Sequence, residues 1–205
     1  MKINLNPNTN PVADADRDEK IAAGGFGKYY TDNMVTIDWS EADGWSDAQL
    51  HAYGPITLDP ATAVFHYGQE IFEGMKAYSQ PDGSISLFRP DANAMRFARS
   101  AARLALPELS VEEFIETITT LVKQDRKWVP KKVGESLYIR PFMFATEVGL
   151  GVRPSNKAKY VLIATPAGAY FNAANAVTVW ISTEYVRAAI GGTGEAKCGG
   201  NYAAS

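Results

Sequence analysis

Residues 191–205, "GGTGEAKCGGNYAAS", set one lysine, Lys197, between two glycine clusters, with Cys198 beside it and Tyr202 close behind. Glycines let a backbone turn tightly and approach another group closely. A P-loop needs glycine directly before the lysine and Ser or Thr directly after it. Ala196 and Cys198 occupy those places, so the loop glycine and the Mg²⁺-binding hydroxyl are both missing. A dinucleotide fingerprint fails too. Gly192 and Gly194 have the right interval, but Lys197 takes the third glycine position and no regular strand–helix–strand unit surrounds it. Two readings remain open. One is a solvated surface lysine on a turn. The other is an amine that condenses with a carbonyl, which needs burial or a nearby cation to keep it neutral.

Composition narrows the setting. The 205 residues are enough for one large domain or two small ones, and an apolar share of 46% is ordinary for a core-forming protein. A net charge of −3 gives no broad field for nucleic acid or anionic membrane. The single cysteine cannot form an internal disulfide. The polar start, "MKINLNPNTNPVADADRDEK", has no apolar targeting segment, and no apolar run reaches membrane-spanning length. The expectation is a soluble cytoplasmic protein with neither nucleic-acid nor membrane partners.

Periodicity predicts the elements. Residues 1–20, rich in Asn, Asp and Pro, read as a flexible polar tail. "MVTIDW" alternates as a strand, and "WSEADGWSD" reads as a polar loop. "KAYSQPDGSISLFRP" predicts a hairpin around "PDG". Pro90 suits the first turn of a helix that runs towards Pro107, and "SVEE" predicts a capping box opening a second helix at Ser110. On that second helix Val111, Phe114, Ile115, Ile118, Leu121 and Val122 make an apolar face. "SLYIRPFMFATEV", "AKYVLIATPAG" and "AVTVWIST" read as strands, and "TEYVRAAIGG" as a short helical turn. The order is mixed, which favours α+β over alternating βαβ units.

A pyridoxal phosphate site makes further demands. It wants an arginine for the phosphate, a donor such as tyrosine for the phenolic oxygen and a carboxylate for the pyridine nitrogen. Lys197, Tyr202 and an upstream arginine meet three of these needs, though spacing alone does not decide between the readings. Five stretches together do more. "FGKYYTDNM", "HYGQEIFEGMKAY" with "LFRPDANAMRFARSAARL", "SLYIRPFMFATEVGLGV", "TPAGAYF" followed by "YVRAAIGG", and the lysine segment stand in one order. In that order they resemble the branched-chain amino-acid aminotransferases, pyridoxal-phosphate enzymes of fold type IV. The resemblance covers nearly everything after the polar tail.

The resemblance implies a small N-terminal α/β domain (21–166), an interdomain loop (167–176) and the opening strands of a larger cofactor-binding domain (177–205). The family's chain continues further, so the expectation is a fragment whose activity alone is doubtful. The implied cofactor is pyridoxal 5'-phosphate, with no metal. Lys197 is implied as the covalent partner and proton shuttle, Tyr202 as donor to the phenolic oxygen, and Arg96 as phosphate ligand. Tyr30, Phe72 and Tyr138 are implied to line the side-chain pocket. Tyr67 and the "GLGV" residues Leu150 and Val152 are implied to cross to a partner subunit, which makes the expected state a homodimer. Arg140 is implied as receiver of the distal carboxylate of glutamate, and Tyr170 as part of a closing loop. Arg99 and Arg103 read as surface residues, and no role follows for Arg187 or Cys198. The implied reaction is amino transfer between leucine, isoleucine or valine and 2-oxoglutarate. A D-amino-acid transaminase, an aminodeoxychorismate lyase and a non-catalytic truncated product are the alternatives.

Overall fold

The computed structural model describes residues 1–168 and 176–203. Its strands are β1 (Asn4–Asn6), β2 (Asn33–Ser40), β3 (Gly44–Ala52), β4 (Glu70–Phe72), β5 (Met75–Ser79), β6 (Ile85–Leu87), β7 (Ser136–Ala145) and β8 (Lys157–Ala167). The helices are α1 (Asp14–Ala23), α2 (Ala63–Tyr67), α3 (Pro90–Arg103) and α4 (Val111–Gln124). The strands form one sheet in the order β1-β3-β2-β8-β7-β5-β6, with β4 also paired to β7. Among the described residues, only the β1–β3 pair is parallel. This is the expected mixed α+β class.

Alternation on the long central strands divides the sheet into two faces. On β7, Leu137, Ile139, Met143 and Ala145 enter the main core, as do Ala158, Tyr160, Leu162 and Ala164 on β8. Helices α3 and α4 cover this face with Ala94, Phe97, Phe114, Ile118 and Leu121. The intervening β7 positions Tyr138, Arg140, Phe142 and Phe144 therefore point to the other face. A small cluster of Met34, Phe144 and Val161 fills part of that face, and the rest is left for polar and aromatic groups.

Helix starts follow their predicted chemistry. Pro90 opens α3, and Ser110 and Glu113 close a reciprocal capping box on α4. The expected α4 face is present, with Val111 and Ile115 half-buried at its margin and Phe114, Ile118, Leu121 and Val122 inside. The β5–β6 hairpin also stands where "PDG" placed it.

Four expectations are corrected. Residues 1–20 are no loose tail: they hold β1 and most of α1. The composition is polar, but Met1, Ile3, Val12 and Ile21 pack on the core, and Val12 N–H donates to Asp32. Residues 44–52, half of them read as loop, form β3, an outer strand that buries only Ala48 and Leu50. Helix α3 ends at Arg103, short of Pro107. Finally, "AVTVWIST" forms no strand, and "TEYVRAAIGG" no helix, among the described residues. A strand needs a partner, and β8 already pairs with β2 and β7 on its two sides. Val177, Trp180 and Ile181 are left 61%, 87% and 80% exposed. No helix among the described residues is long and apolar enough to cross a membrane.

Candidate active site around Lys197

Lys197 reaches the sheet by threading past β4. Its neighbours Ala196 and Cys198 are small and apolar, and both are buried in the main core. That alternation turns the Lys197 side chain to the opposite face, where β4 presents Glu70 and Phe72 and β7 presents Tyr138 and Arg140. The Lys197 backbone is held on both sides. Its N–H donates to Ser100 Oγ at 2.9 Å, and its carbonyl accepts from Phe72 N–H at 2.9 Å.

The side chains then converge. Lys197 Nζ donates to Tyr202 Oη at 2.9 Å and stands 4.3 Å from the Phe72 ring centroid. The Phe72 and Tyr202 rings lie 5.1 Å apart. The Arg140 guanidinium sits 4.7 Å from the same ring and donates to Tyr138 Oη at 3.0 Å. Arg140 Nε is buried with no hydrogen-bond partner among the described residues. Its charge also acts on the nearby Glu70 carboxylate.

Two glycines permit the close packing. A Cβ on Gly74 would collide with Tyr138 Oη, and one on Gly199 would collide with Glu70 Oε1. Burial pushes the Glu70 carboxyl above its ordinary pKa, opposed by the Gly199 N–H and the Arg140 charge.

Arg96 lies beside this centre in a fork of its own. Its Nε and Nη2 donate to the fully buried Glu73 carboxylate at 2.5 and 2.8 Å, and Asn93 donates to the same carboxylate at 2.8 Å. The guanidinium stays exposed, and Nη1 makes no bond to Glu73. Arg103, read from sequence as a surface residue, is exposed and donates to the carbonyls of Gly191 and Gly192. Asn201 is buried and ties the loop together, donating to the carbonyls of Thr193 and Ala196. Arg187 donates to the Gly194 carbonyl.

The structure thus brings Lys197, Tyr202, Phe72, Tyr138 and Arg140 into one cluster. Other candidates stand elsewhere. Tyr30 stacks on Tyr53 with ring centroids 4.8 Å apart. Tyr67 Oη donates to the Leu150 carbonyl, and Tyr67, Leu150 and Val152 are all exposed. Tyr170 lies outside the described residues. Sequence reasoning passed over Glu70, Glu73, Ser100 and Asn201. Each is a polar residue inside or beside an apolar run, and only the fold shows what each one meets.

No family model matches the chain. It is 60% identical over 207 aligned residues to a branched-chain-amino-acid aminotransferase of Mycolicibacterium smegmatis, covering all of this chain and 56% of that one. It is 48% identical over 183 residues to branched-chain-amino-acid transaminase 1 of Bacillus subtilis, covering 88% of this chain and 51% of that one. The chain spans about half the length of the curated relatives it matches. The fold matches the Escherichia coli branched-chain amino acid aminotransferase with a TM-score of 0.56 at 23% identity, over 81% of this chain and 52% of that one. A second solved enzyme of that name, from T.th. and holding pyridoxamine 5'-phosphate, gives a TM-score of 0.51 at 26% identity, over 68% of this chain and 42% of that one. By sequence, the chain is similar to about half of each branched-chain-amino-acid aminotransferase it matches, and it shares the fold of the solved enzymes of that name.

Proposed function

We propose that this chain carries the lysine-bearing part of a pyridoxal-phosphate-dependent transaminase for branched-chain amino acids. The observation that carries the reading is the convergence of Lys197 Nζ, Tyr202 Oη and the Phe72 ring beside an incompletely satisfied Arg140. These residues fit the cofactor. Lys197 offers the amine, Tyr202 would hold the phenolic oxygen, and Arg96 would hold the phosphate through the nitrogen that Glu73 leaves free. When bound, pyridoxal 5'-phosphate supplies a carbonyl and an electron-withdrawing ring. Lys197 Nζ would take the proton from the substrate Cα and deliver it to C4′, the cofactor carbon that gives up its double bond to the amino nitrogen. Tyr202, by its bond to Nζ, keeps the amine directed across the Phe72 ring.

Phe72 and Tyr138 would wall the side-chain pocket. Apolar walls reward buried methyl groups and give a polar side chain no partner. Arg140, already braced by Tyr138, would receive the distal carboxylate of the acidic partner substrate through its guanidinium amino groups. The substrates are then leucine, isoleucine or valine on one half-reaction and 2-oxoglutarate with glutamate on the other. Tyr30 and Tyr170 belong to the same proposal as pocket residues outside the central cluster, Tyr170 on a closing loop.

The partner is a second copy of the protein. Phe65, Tyr67, Val148, Leu150 and Val152 are 60%, 44%, 59%, 63% and 85% exposed, an apolar patch that supports a subunit interface. Residues 21–166 would form the small domain, 167–176 the interdomain loop and 177–205 the start of the cofactor domain, in a cytoplasmic enzyme.

The test is an amino-transfer panel with 2-oxoglutarate as acceptor. Glutamate formation from L-leucine, L-isoleucine and L-valine is expected, with D-amino acids inert. Preference for D-substrates would replace this reading with another fold type IV enzyme.

A further inference from the structure

Ser100 sits in the last turn of α3 among buried apolar neighbours Ala94, Phe97 and Ala101, and is itself 1% exposed. Serine is a poor choice for such a position. It lowers helix propensity and puts a hydroxyl in the core, at a cost unless that hydroxyl finds a partner. The partner is the Lys197 backbone N–H, 2.9 Å away and 97 residues along the chain. The opposite side of the same residue is fixed by Phe72 N–H. The segment leading to Lys197 supplies little support: Val177, Trp180, Tyr185 and Ile190 are all exposed.

Helix α3 repeats the device along one face. Arg96, Ser100 and Arg103 are four and then three residues apart, so they line up. Arg96 holds Glu73, next to Phe72; Ser100 holds Lys197; Arg103 holds Gly191 and Gly192. One rigid helix therefore references both the aromatic floor of the site and the loop that brings in the lysine.

We propose that Ser100 is a positioning residue for Lys197, setting the direction of its amine through the backbone hydrogen bond. This rests on the reading of Lys197 as the cofactor-bearing lysine. Without the bond, the Lys197 N–H loses its partner, and the backbone at this residue keeps only the hydrogen bond at its carbonyl. The amine then no longer sits in a single orientation over Phe72. Misplacement of about 1 Å at a reacting group costs on the order of a hundredfold in rate.

The test compares wild type with Ser100→Ala and Ser100→Cys, all loaded with pyridoxal 5'-phosphate. Three readouts are taken: kcat, KM for L-leucine, and the pH titration of the cofactor's visible absorption band. Wild-type activity and band test the underlying reading separately. Given those, Ser100→Ala is expected to lower kcat about 10–100-fold with little change in KM, and to move the midpoint of the band's titration. Ser100→Cys, which keeps a weaker acceptor, should fall between. Unchanged kcat and an unchanged midpoint in Ser100→Ala would overturn the proposal. If Ser100→Ala does not fold, wild-type values of both in Ser100→Cys overturn it, and an intermediate shift supports it.

Discussion

Lys197 Nζ and Tyr202 Oη are hydrogen-bonded at 2.9 Å, five residues apart on a loop whose backbone is tied to both α3 and β4. The pair needs the short 3-10 turn at Gly199–Tyr202, which folds Tyr202 back over the lysine. Replacing Tyr202 by Phe keeps the ring against Phe72 and removes only the hydroxyl. The expected loss is roughly 1–3 kcal/mol of hydrogen bonding, or about 5–160-fold in kcat/KM. Steady-state kinetics with L-leucine check it, and a rate within about twofold of wild type would exclude the hydroxyl from the chemistry.

Gly199 is required by Glu70, not by backbone angle. Gly199→Ala would drive a methyl into the Glu70 carboxylate. The strain is expected to cost roughly 1–3 kcal/mol of stability. Glu70→Ala in the same chain should recover most of it. A thermal-melt double-mutant cycle reads the coupling directly, and additive effects would show that the two residues do not touch.

Glu70 also gives a pH dependence with a defined sign. Burial holds its folded pKa above the usual carboxylate value, so the fold favours the protonated form. The stability it contributes is full below the unfolded pKa of about 4 and is lost as pH rises through the folded value. Glu70→Gln can still accept from Gly199 N–H but has no proton to lose. Its melting temperature should therefore gain on wild type as pH rises from about 4 to 7. A constant difference, or one that shrinks with rising pH, would contradict this.

The exposed patch at Tyr67 and Leu150 predicts the assembly. If the proposed dimer forms through this patch, Leu150→Glu places a charge in it and should shift the protein towards monomer in light scattering, with melting of the isolated subunit little changed. A dimer that persists would move the interface elsewhere.

Legibility differed by residue. The core elements could be read because β7, β8, α3 and α4 each follow one period over ten or more residues. Lys197, Tyr202, Tyr138, Arg140 and Phe72 were found through motif resemblance, and the fold shows them on one face of the sheet. Residues 1–20 were misread because their anchoring depends on side chains contributed by a distant segment, Asp32 and Asn33, and β3 because backbone pairing with β1 and β2 holds it. "AVTVWIST" failed as a strand for the opposite reason: its alternation is clear, but pairing is a property of the neighbour. Ser100 and Glu73 look like ordinary helix and loop polar residues until their partners, Lys197 and Arg96, are in view.

Borohydride reduction of the protein loaded with pyridoxal 5'-phosphate, followed by peptide mass mapping, tests the central assignment most directly. A stable pyridoxyl adduct on the peptide bearing Lys197, absent in Lys197→Ala, is predicted. An adduct on another lysine, or none with cofactor bound, would contradict it.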